Sequence, residues 1–351
     1  MPAITDHDDL VESLLAKFHV FLLNRYEDDR LGFNDTKIRI FLPDLHWISQ
    51  EDQNRFPDYH FNGNEMLPLL FDVLEDAASL EVFQTGDRLD FWRASVPKHA
   101  SPEETYDAIL SDPQVKGLHD RLKAFTPTQL RGNHDRWVKA IAAEGRCPET
   151  TSDATGRIFL THGHIWDQIE RLPDDWKRWA VSITKNVQGR DMDVGPLIPG
   201  TVELIRQKLR IRREHPELAM PLTVKTVGGV EVTTAADVYD VERAFLPIDQ
   251  LQIASLTSAF DDFHDTAGIV TFGGDVREQA NESPDCRLFV IAHTHHARLL
   301  VDRHPRGGPL VTMDCGAWIE NCTIAGDSPI PSAQFGVQHG NDLRIYQLAP
   351  L

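Results

Sequence analysis

The chain has 351 residues, 41% of them hydrophobic and 8% aromatic, which is enough to bury a sizeable core in one large domain or two. Its formal net charge of −19 repels polyanions and disfavours non-specific nucleic-acid binding, although bound divalent cations would reverse the sign locally. No apolar run approaches the roughly 18 residues of a membrane-spanning helix, so we expect no membrane insertion.

The first predicted element is a helix near the N-terminus. Apolar residues recur there at helical spacing, at Leu10, Leu14, Leu15, Phe18, Phe21 and Leu22. This pattern predicts an amphipathic helix over residues 8–26, within an N-terminal helical extension over residues 1–36. We expect the apolar side to pack on the body of the fold. The alternative is a contact with a second copy in a homodimer.

A series of short apolar runs follows, each rich in Ile, Val, Leu or Phe and bounded by turn-forming residues. The runs predict strands at 38–46, 80–90, 128–135, 157–164, 286–296, 309–318 and 342–348. Helical patterns separate the early runs, at 64–79 and 103–125. Alternating strands and helices predict an α/β fold for the domain over residues 37–351.

A cap-like insertion at about 166–285 interrupts that domain. Three tryptophans lie in or near a helical stretch of it, and residues 201–215 predict a basic helix. Residues 222–234 predict a hairpin that turns at Gly228 and Gly229. The tryptophans close the core of this lobe or, alternatively, line a pocket for a base or an acyl chain.

The cysteines and the N-terminus indicate the compartment. The four cysteines form no CxxC pair, and a reducing environment is the simpler interpretation. The acidic N-terminus lacks the basic-then-apolar pattern of a signal peptide. We therefore expect a cytoplasmic protein.

Polar residues follow five of the predicted strands, where the carboxyl ends of an open α/β sheet bind ligands. Asp44 and His46 are two residues apart and point the same way in a strand, so they can hold one metal ion. Asp87 and Asp90 belong to a GDxxD sequence in which Gly86 permits a tight turn. Taken singly, the first pair is equally typical of a polar loop and the second of a helix cap.

The remaining polar strand ends are richer in imidazoles. Residues 132–135 read Gly-Asn-His-Asp, and Asn133 offers a neutral oxygen ligand beside the titratable His134. His162 lies in a His-Gly-His sequence, and His293 and His295 form an HxH pair. Several histidines after apolar strands, alongside acids, are more typical of metal ligands than of structural residues.

In chain order, the sequences D-x-H, GDxxD, GNHD, HGH and HTH resemble the calcineurin-like metallophosphoesterase superfamily, from about residue 38 to residue 320. The stretches 86–92, 162–167 and 314–323 are most similar to the UDP-2,3-diacylglucosamine pyrophosphatase-like branch. Protein Ser/Thr phosphatases rank lower, because they carry Arg-Gly where this chain has Phe91-Trp92. Ala292 departs from the glycine that usually precedes the HxH pair.

The resemblance implies two packed mixed β-sheets flanked by helices, a four-layer αββα sandwich, and two metal sites that share Asp87. It assigns Asp44, His46 and His295 to the first site, and Asn133, His162 and His293 to the second. Such mixed nitrogen and oxygen ligands suit two divalent ions, Mn²⁺ first and Fe, Zn or Co as alternatives.

The resemblance also implies how the site works. A hydroxide shared by the two metals attacks a phosphorus atom, and His134 protonates the leaving oxygen. Asp90 accepts the other N–H of that imidazole and fixes its tautomer. Beside the motifs, His164 and His296 are expected next to the ligands or at the surface. The nearby arginines are solvated charges or, alternatively, candidates for holding phosphate: Arg88, Arg93 and Arg136.

Three functional hypotheses stay open at this stage. The first is hydrolysis of small phosphomonoesters or phosphodiesters, with a nucleotide-sugar pyrophosphatase as the closest alternative. The second is a single-strand nuclease, which the net charge of −19 disfavours. The third is a non-catalytic scaffold, which the full set of expected ligands disfavours. The expected partner is a small phosphate ester, without stable nucleic-acid binding.

Overall fold

The structure is a computed structural model, and it describes most of the chain outside the predicted insertion. The described residues are 4–55, 60–61, 63–77, 80–91, 94, 100–126, 129–165, 223–225, 231–233, 273–293, 297–320 and 333–351.

Six α-helices, fourteen strands and three short 3-10 helices (Asp29–Leu31, Arg136–Ala140 and Ala142–Glu144) are described in this part of the chain. The helices are α1 (His7–Leu15), α2 (Gln50–Arg55), α3 (Gly63–Glu75), α4 (Pro102–Leu110), α5 (Pro113–Phe125) and α6 (Gly273–Glu282). The strands are β1 (Phe18–Glu27), β2 (Ile38–Leu42), β3 (His60–Phe61), β4 (Leu80–Gln84), β5 (Thr150–Ser152), β6 (Ile158–Thr161), β7 (Thr223–Lys225), β8 (Glu231–Thr233), β9 (Leu288–Ile291), β10 (Arg298–Arg303), β11 (Pro309–Asp314), β12 (Ile319–Glu320), β13 (Gln334–His339) and β14 (Asp342–Pro350).

Two five-stranded mixed sheets form the centre of the fold. The first sheet has the strand order β1-β14-β13-β2-β4, and the second has the order β10-β11-β9-β6-β5. In the first sheet only β2 and β4 are parallel neighbours. In the second sheet β9 is parallel to both β6 and β11. Each sheet therefore contains parallel strands whose carboxyl ends meet at one edge.

The two sheets pack face to face. Along β2, Ile40 faces the helical layer, whereas the neighbouring Phe41 points into a core shared with Leu160, Val290 and Ile345. Because successive side chains of a strand point to opposite faces, β2 contributes to two cores at once. The first sheet is thereby buried on both faces.

Helices cover the two outer faces. Leu10 of α1, Leu70 of α3 and Leu118 of α5 belong to the core on the outer face of the first sheet. Val276 of α6 packs with Phe289 on the outer face of the second sheet. The order of layers is helix, sheet, sheet, helix, so the predicted α/β class and the two packed mixed sheets flanked by helices are confirmed.

The N-terminal segment differs from the prediction. The helix that was predicted over 8–26 ends at Leu15, and residues 18–27 form β1, which pairs antiparallel with β14. The helical prediction over 18–26, and with it the wholly helical extension over 1–36, is therefore wrong. The run contains aromatic and branched residues that suit a strand, and β14 provides a partner that the local pattern does not reveal.

Two further predictions have mixed outcomes. Residues 128–135 are not a strand in the part that the structure describes, where one bridge joins Gln84 to Gln129. In the insertion, Thr223–Lys225 pairs with Glu231–Thr233 as predicted for a hairpin. Its turn, the tryptophan-containing stretch and the predicted basic helix over 201–215 lie outside the described residues.

A helix that spans a membrane must be both long and apolar. Among the helices that the structure describes, none combines the length and the apolar character needed to cross a bilayer.

Candidate metal centre

The predicted site residues gather where the parallel strands of both sheets end. Asp44 and Asp87 follow β2 and β4 of the first sheet, and His162 and His293 follow β6 and β9 of the second. The loops after β2 and β4 are joined by backbone hydrogen bonds, with the N–H of His46 donating to the carbonyl of Asp87 over 2.8 Å. Asp90 N–H donates to the carbonyl of Trp47 over 3.0 Å. This ladder fixes the two acidic loops against each other.

The backbone is strained at three of the predicted ligands. His46, Asp87 and His293 have φ angles of 48°, 46° and 70°, within the left-handed region that favours glycine. Among the described residues, only one other non-glycine residue, Ala333, has a positive φ. A left-handed conformation costs a non-glycine residue on the order of 1–3 kcal/mol and clusters at functional sites. The fold therefore retains strain where these side chains converge.

Two glycines allow that convergence. A Cβ atom added at Gly132 would overlap the carboxylate of Asp87 and lie 2.7 Å from its backbone nitrogen. A Cβ added at Gly86 would lie 2.7 Å from the Cβ of His162. The glycines of the GDxxD and GNHD sequences thus let the Asp87 carboxylate approach both the GNHD loop and the imidazole of the second sheet.

The most buried cluster consists of Asp44, Asp87 and His162, and is called the inner group below. Nε2 of His162 lies 3.2 Å from Oδ1 of Asp44 and 3.3 Å from Oδ2 of Asp87. All three side chains are at most 2% exposed. Burial disfavours the charged imidazole, but the charges of Asp87 and Asp44 outweigh it and raise the pKa of His162 well above its ordinary value.

Asp87 remains ionised despite its burial. Burial raises the pKa of its carboxyl, but the charges of His162, His134 and His46 outweigh that effect and hold the pKa well below its ordinary value. The second oxygen, Oδ1, accepts a hydrogen bond from the N–H of His134 over 2.8 Å. Asp87 therefore presents a buried negative charge between the two sheets, which suits a cation.

The second cluster consists of His46, Asp87 and His134, and is called the outer group because the side chain of His134 is 14% exposed. Nε2 of His46 lies 3.7 Å from Oδ2 of Asp87, and the rings of the two histidines are 4.5 Å apart and nearly perpendicular. Burial, followed by the charge of His134, lowers the pKa of His46 to about 4, so this ring is neutral at neutral pH.

Asp90 supports both imidazoles of the outer group. Its Oδ1 lies 3.1 Å from Nδ1 of His134, and its Oδ2 lies 3.2 Å from Nδ1 of His46. The predicted contact between Asp90 and His134 is therefore present in the structure, and the contact with His46 was not foreseen. With Nδ1 of each ring held by Asp90, the two Nε2 atoms face away from this carboxylate.

Two of the three remaining predicted ligands lie beside the inner group. The backbone N–H of His293 donates to Oδ2 of Asp44 over 3.0 Å, and its ring centroid lies 5.0 Å from that of His162. Asn133 is 4% exposed and lies between two residues that contact Asp87. His295 falls outside the described residues.

His164 also joins the site. Its Nδ1 lies 3.1 Å from Nδ1 of His162, and its ring centroid is 6.5 Å from that of His293. Burial, together with the charges of His162 and His293, lowers the pKa of His164 to about 2. The ring is thus neutral and carries one nitrogen that accepts a hydrogen bond.

Sequence reasoning missed the role of Asp135, the last residue of GNHD. Its carboxylate accepts hydrogen bonds from the N–H of Gly132 over 2.7 Å and of Arg88 over 3.0 Å, and so joins the two motif loops. Burial and the charge of Asp87 raise the pKa of Asp135 to about 6. The signal was present in the motif, where an acid directly follows the proposed proton donor.

Two candidate phosphate-binding arginines, Arg88 and Arg136, have contacts of other kinds, and Arg93 falls outside the described residues. The side chain of Arg88 is 1% exposed and forms an ion pair with Glu144, which also lies 3.1 Å from Nε2 of His119. The guanidinium of Arg136 stacks over the ring of Trp137 at 4.5 Å. Arg88 therefore anchors the Asp87 loop to the helical layer instead of facing a phosphate.

Both groups have the chemistry of divalent-cation sites. Within each group, the oxygen and nitrogen atoms lie within 4.8 Å of one another. Imidazole and carboxylate ligands bind such metals at about 2.0–2.2 Å, so small shifts would bring three ligand atoms around one ion. Asp87 belongs to both groups, which suits the bridging role that the resemblance implies.

Comparison with known proteins gave no further assignment. No protein-family model matches the chain, and no curated protein matches it.

Proposed function

We propose that this chain is a metal-dependent phosphoesterase of the calcineurin-like type, which hydrolyses small phosphomonoesters or phosphodiesters at a centre of two divalent metal ions. The observation that carries the proposal is the position of Asp87, a buried carboxylate shared by the inner and outer groups. Acid and imidazole side chains from both sheets surround it, and Asp90 holds the imidazole proposed as the proton donor.

The residues that would hold the metals come from both groups. We assign Asp44, Asp87 and His162 to the ions, together with His46, Asn133, His293 and His295 as the resemblance implies. Mn²⁺ is the first expectation, with Fe, Zn and Co as alternatives. When bound, two such ions would supply an acidified water and neutralise charge on the phosphoryl oxygens.

The chain's own residues perform the remaining tasks. His134 protonates the leaving oxygen from Nε2, since its Nδ1 lies 3.1 Å from Asp90. The carboxylate of Asp90, 3.1 Å from that imidazole, fixes its orientation and stabilises its positive charge. The partial exposure of His134, beside the fully buried inner group, lets a substrate reach the outer side of the centre while water is kept from the inner side.

The charge of the whole chain bears on the substrate class. With a net charge of −19, the protein repels long polyanions, whereas two bound cations at the centre would supply the local positive charge that a small phosphate ester needs. We therefore favour a small ester over a nucleic acid.

The test is a substrate panel with purified protein that is stripped with chelator and reloaded with Mn²⁺. The panel contains p-nitrophenyl phosphate, bis-p-nitrophenyl phosphate, cyclic nucleotides, a UDP-sugar and single-stranded DNA. We expect turnover of one or more small esters that is lost in chelator and restored by Mn²⁺.

Other outcomes would contradict parts of the proposal. Preferred turnover of single-stranded DNA would identify a nuclease, and preferred turnover of the UDP-sugar would identify a pyrophosphatase. A protein that binds no metal and turns over none of the panel would favour the non-catalytic scaffold.

A further inference from the structure

The histidine two residues after His162 has no role in the proposed chemistry, yet it contacts that ligand directly. His162 is 0% exposed and directs Nε2 towards the carboxylates of Asp44 and Asp87. Its other nitrogen, Nδ1, lies 3.1 Å from Nδ1 of His164. This distance is that of an N–H···N hydrogen bond, so one nitrogen carries a proton and the other accepts it.

The surroundings decide which ring donates. Nε2 of His162 faces two carboxylates and is the atom placed for a metal ion, which requires a lone pair at that nitrogen. The neutral ring then carries its proton on Nδ1, and His164 is the acceptor. Imidazoles that bind metals regularly donate their second N–H to a carboxylate, a carbonyl or a water molecule, and this contact fixes the ring.

We propose that His164 is a positioning residue that accepts the Nδ1 proton of His162 and thereby holds the Nε2 lone pair on the metal centre. This inference rests on the proposed function, because it requires a metal at the inner group. His164 does not contact substrate in this role. It acts through the tautomer and the orientation of one ligand.

The local sequence permits this contact. The Gly163 between the two histidines has a φ of 107°, which an L-amino acid rarely adopts. The chain turns there, so the two imidazoles face each other with ring centroids 5.1 Å apart. The same turn packs the partly buried ring of His164 against the fully buried ring of His162.

The test compares Mn²⁺ binding in the full-length wild type, in His164→Leu and in His164→Asn. Leucine removes the acceptor, whereas the amide oxygen of asparagine can accept the same N–H. Free Mn²⁺ is measured by electron paramagnetic resonance during titration, without any substrate. His339→Leu is the matched control, because His339 is also partly buried but lies at the end of β13 that pairs with the start of β2.

We expect His164→Leu to weaken Mn²⁺ binding by about 10–100-fold, the range for loss of such a supporting partner. The number of ions bound at saturation should stay that of the wild type, and His164→Asn should recover most of the affinity. Thermal melting in chelator, measured for each variant, checks that the fold is intact.

Each other result overturns the inference in its own way. Equal affinity of wild type and His164→Leu would show that the hydrogen bond does not support the ligand. Loss of one bound ion at saturation would make His164 a ligand itself, and equal losses in both variants would exclude the acceptor role. A wild type that binds no Mn²⁺ would instead overturn the proposed function.

Discussion

Carboxylates in ion pairs occur at both ends of the first sheet, but their main partners differ. At the end where β2 and β4 finish, the carboxylates are Asp44, Asp87 and Asp90. Among the described residues, their ion-pair partners are histidines. At the opposite end, Asp342 lies 2.7 Å from Nη2 of Arg344 and 2.9 Å from Nη2 of Arg25, and His7 is a more distant partner at 3.5 Å.

This difference distinguishes a structural cluster from the proposed metal centre. Arginine is permanently charged, so Asp342 is neutralised by the protein itself. Imidazole can give up its proton and bind a metal with the same nitrogen. The acids that follow β2 and β4 are therefore placed with partners that can exchange a proton for a cation.

The backbone shows the same contrast. The turn between β13 and β14 contains a positive φ of 53° at Gly340, where glycine carries it without strain. At the other end, His46 and Asp87 hold positive φ angles despite their side chains. Backbone strain is thus absent at the β13–β14 turn, and it is present at His46 and Asp87, whose side chains point into the candidate metal centre.

The largest effect is expected for Asp87→Asn, because Asp87 is shared by both groups. The substitution removes the buried negative charge between the two sheets, and we expect metal binding and phosphoesterase activity to be lost together. Metal analysis after reloading with Mn²⁺, combined with the substrate panel, measures both. The control is Asp302→Asn, an exposed acid on β10 that should change neither. Full metal content and full rate in Asp87→Asn would refute the shared-ligand assignment.

The next effect distinguishes the two roles open to His134. As a proton donor, its loss in His134→Gln should lower the rate by about 10²–10⁴-fold while the metal content stays that of the wild type. If His134 is instead a metal ligand of the outer group, His134→Gln should lower the metal content as well as the rate. Steady-state rates and metal analysis on the same samples decide between these results, and a reduced metal content would contradict our assignment.

A smaller effect is expected for Asp90→Asn. Asp90 contacts Nδ1 of both His46 and His134, so its replacement should disturb a ligand and the proton donor at once. We expect a decrease of about 10–100-fold in metal affinity or activity, as for other partners of metal ligands. Mn²⁺ titration and rate measurements together test this. If Asp90→Asn matched the wild type in both, Asp90 would have only a packing role.

The sequence predicted which side chains lie together better than it predicted the edges of the fold. Asp44, Asp87 and His162 could be found because each follows a short apolar run, and parallel strands bring such ends together at one edge. The support given by Asp135 depends on the backbone N–H groups of Gly132 in its own loop and of Arg88 in another loop. Such contacts leave no periodic signal in the sequence.

The N-terminal segment shows the opposite case. Apolar residues at 18, 21 and 22 satisfy a helical pattern, but β14 lies beside them in space and pairs with this segment. That partner is more than 300 residues away in the sequence, so local spacing cannot reveal it. The choice between helix and strand was made by tertiary pairing, which overrides local preference.

The smallest predicted effect concerns Asp342, at the end of the sheet away from the centre. Burial raises the pKa of its carboxyl, but hydrogen bonds from His7, Arg344 and Arg25 outweigh it and hold the pKa well below the ordinary value. A carboxyl with a depressed pKa in the folded protein stabilises the fold above its unfolded pKa of about 4. That contribution is lost as the pH falls through the folded pKa.

Asp342→Asn should therefore lower the free energy of unfolding by about 1–2 kcal/mol at pH 7, a modest value because Arg25 is 47% exposed and water screens its charge. Below pH 4 the difference from the wild type should shrink, because the carboxyl of the unfolded wild-type chain then takes up a proton while the folded carboxyl is still ionised. Denaturant unfolding at pH 7 and pH 3, in chelator, measures both differences, with Asp302→Asn again as the exposed control. Mn²⁺ affinity should not change in Asp342→Asn. A loss of Mn²⁺ binding in Asp342→Asn would show that the two ends of the sheet are coupled. That result would contradict our distinction between the Asp342 cluster and the proposed metal centre.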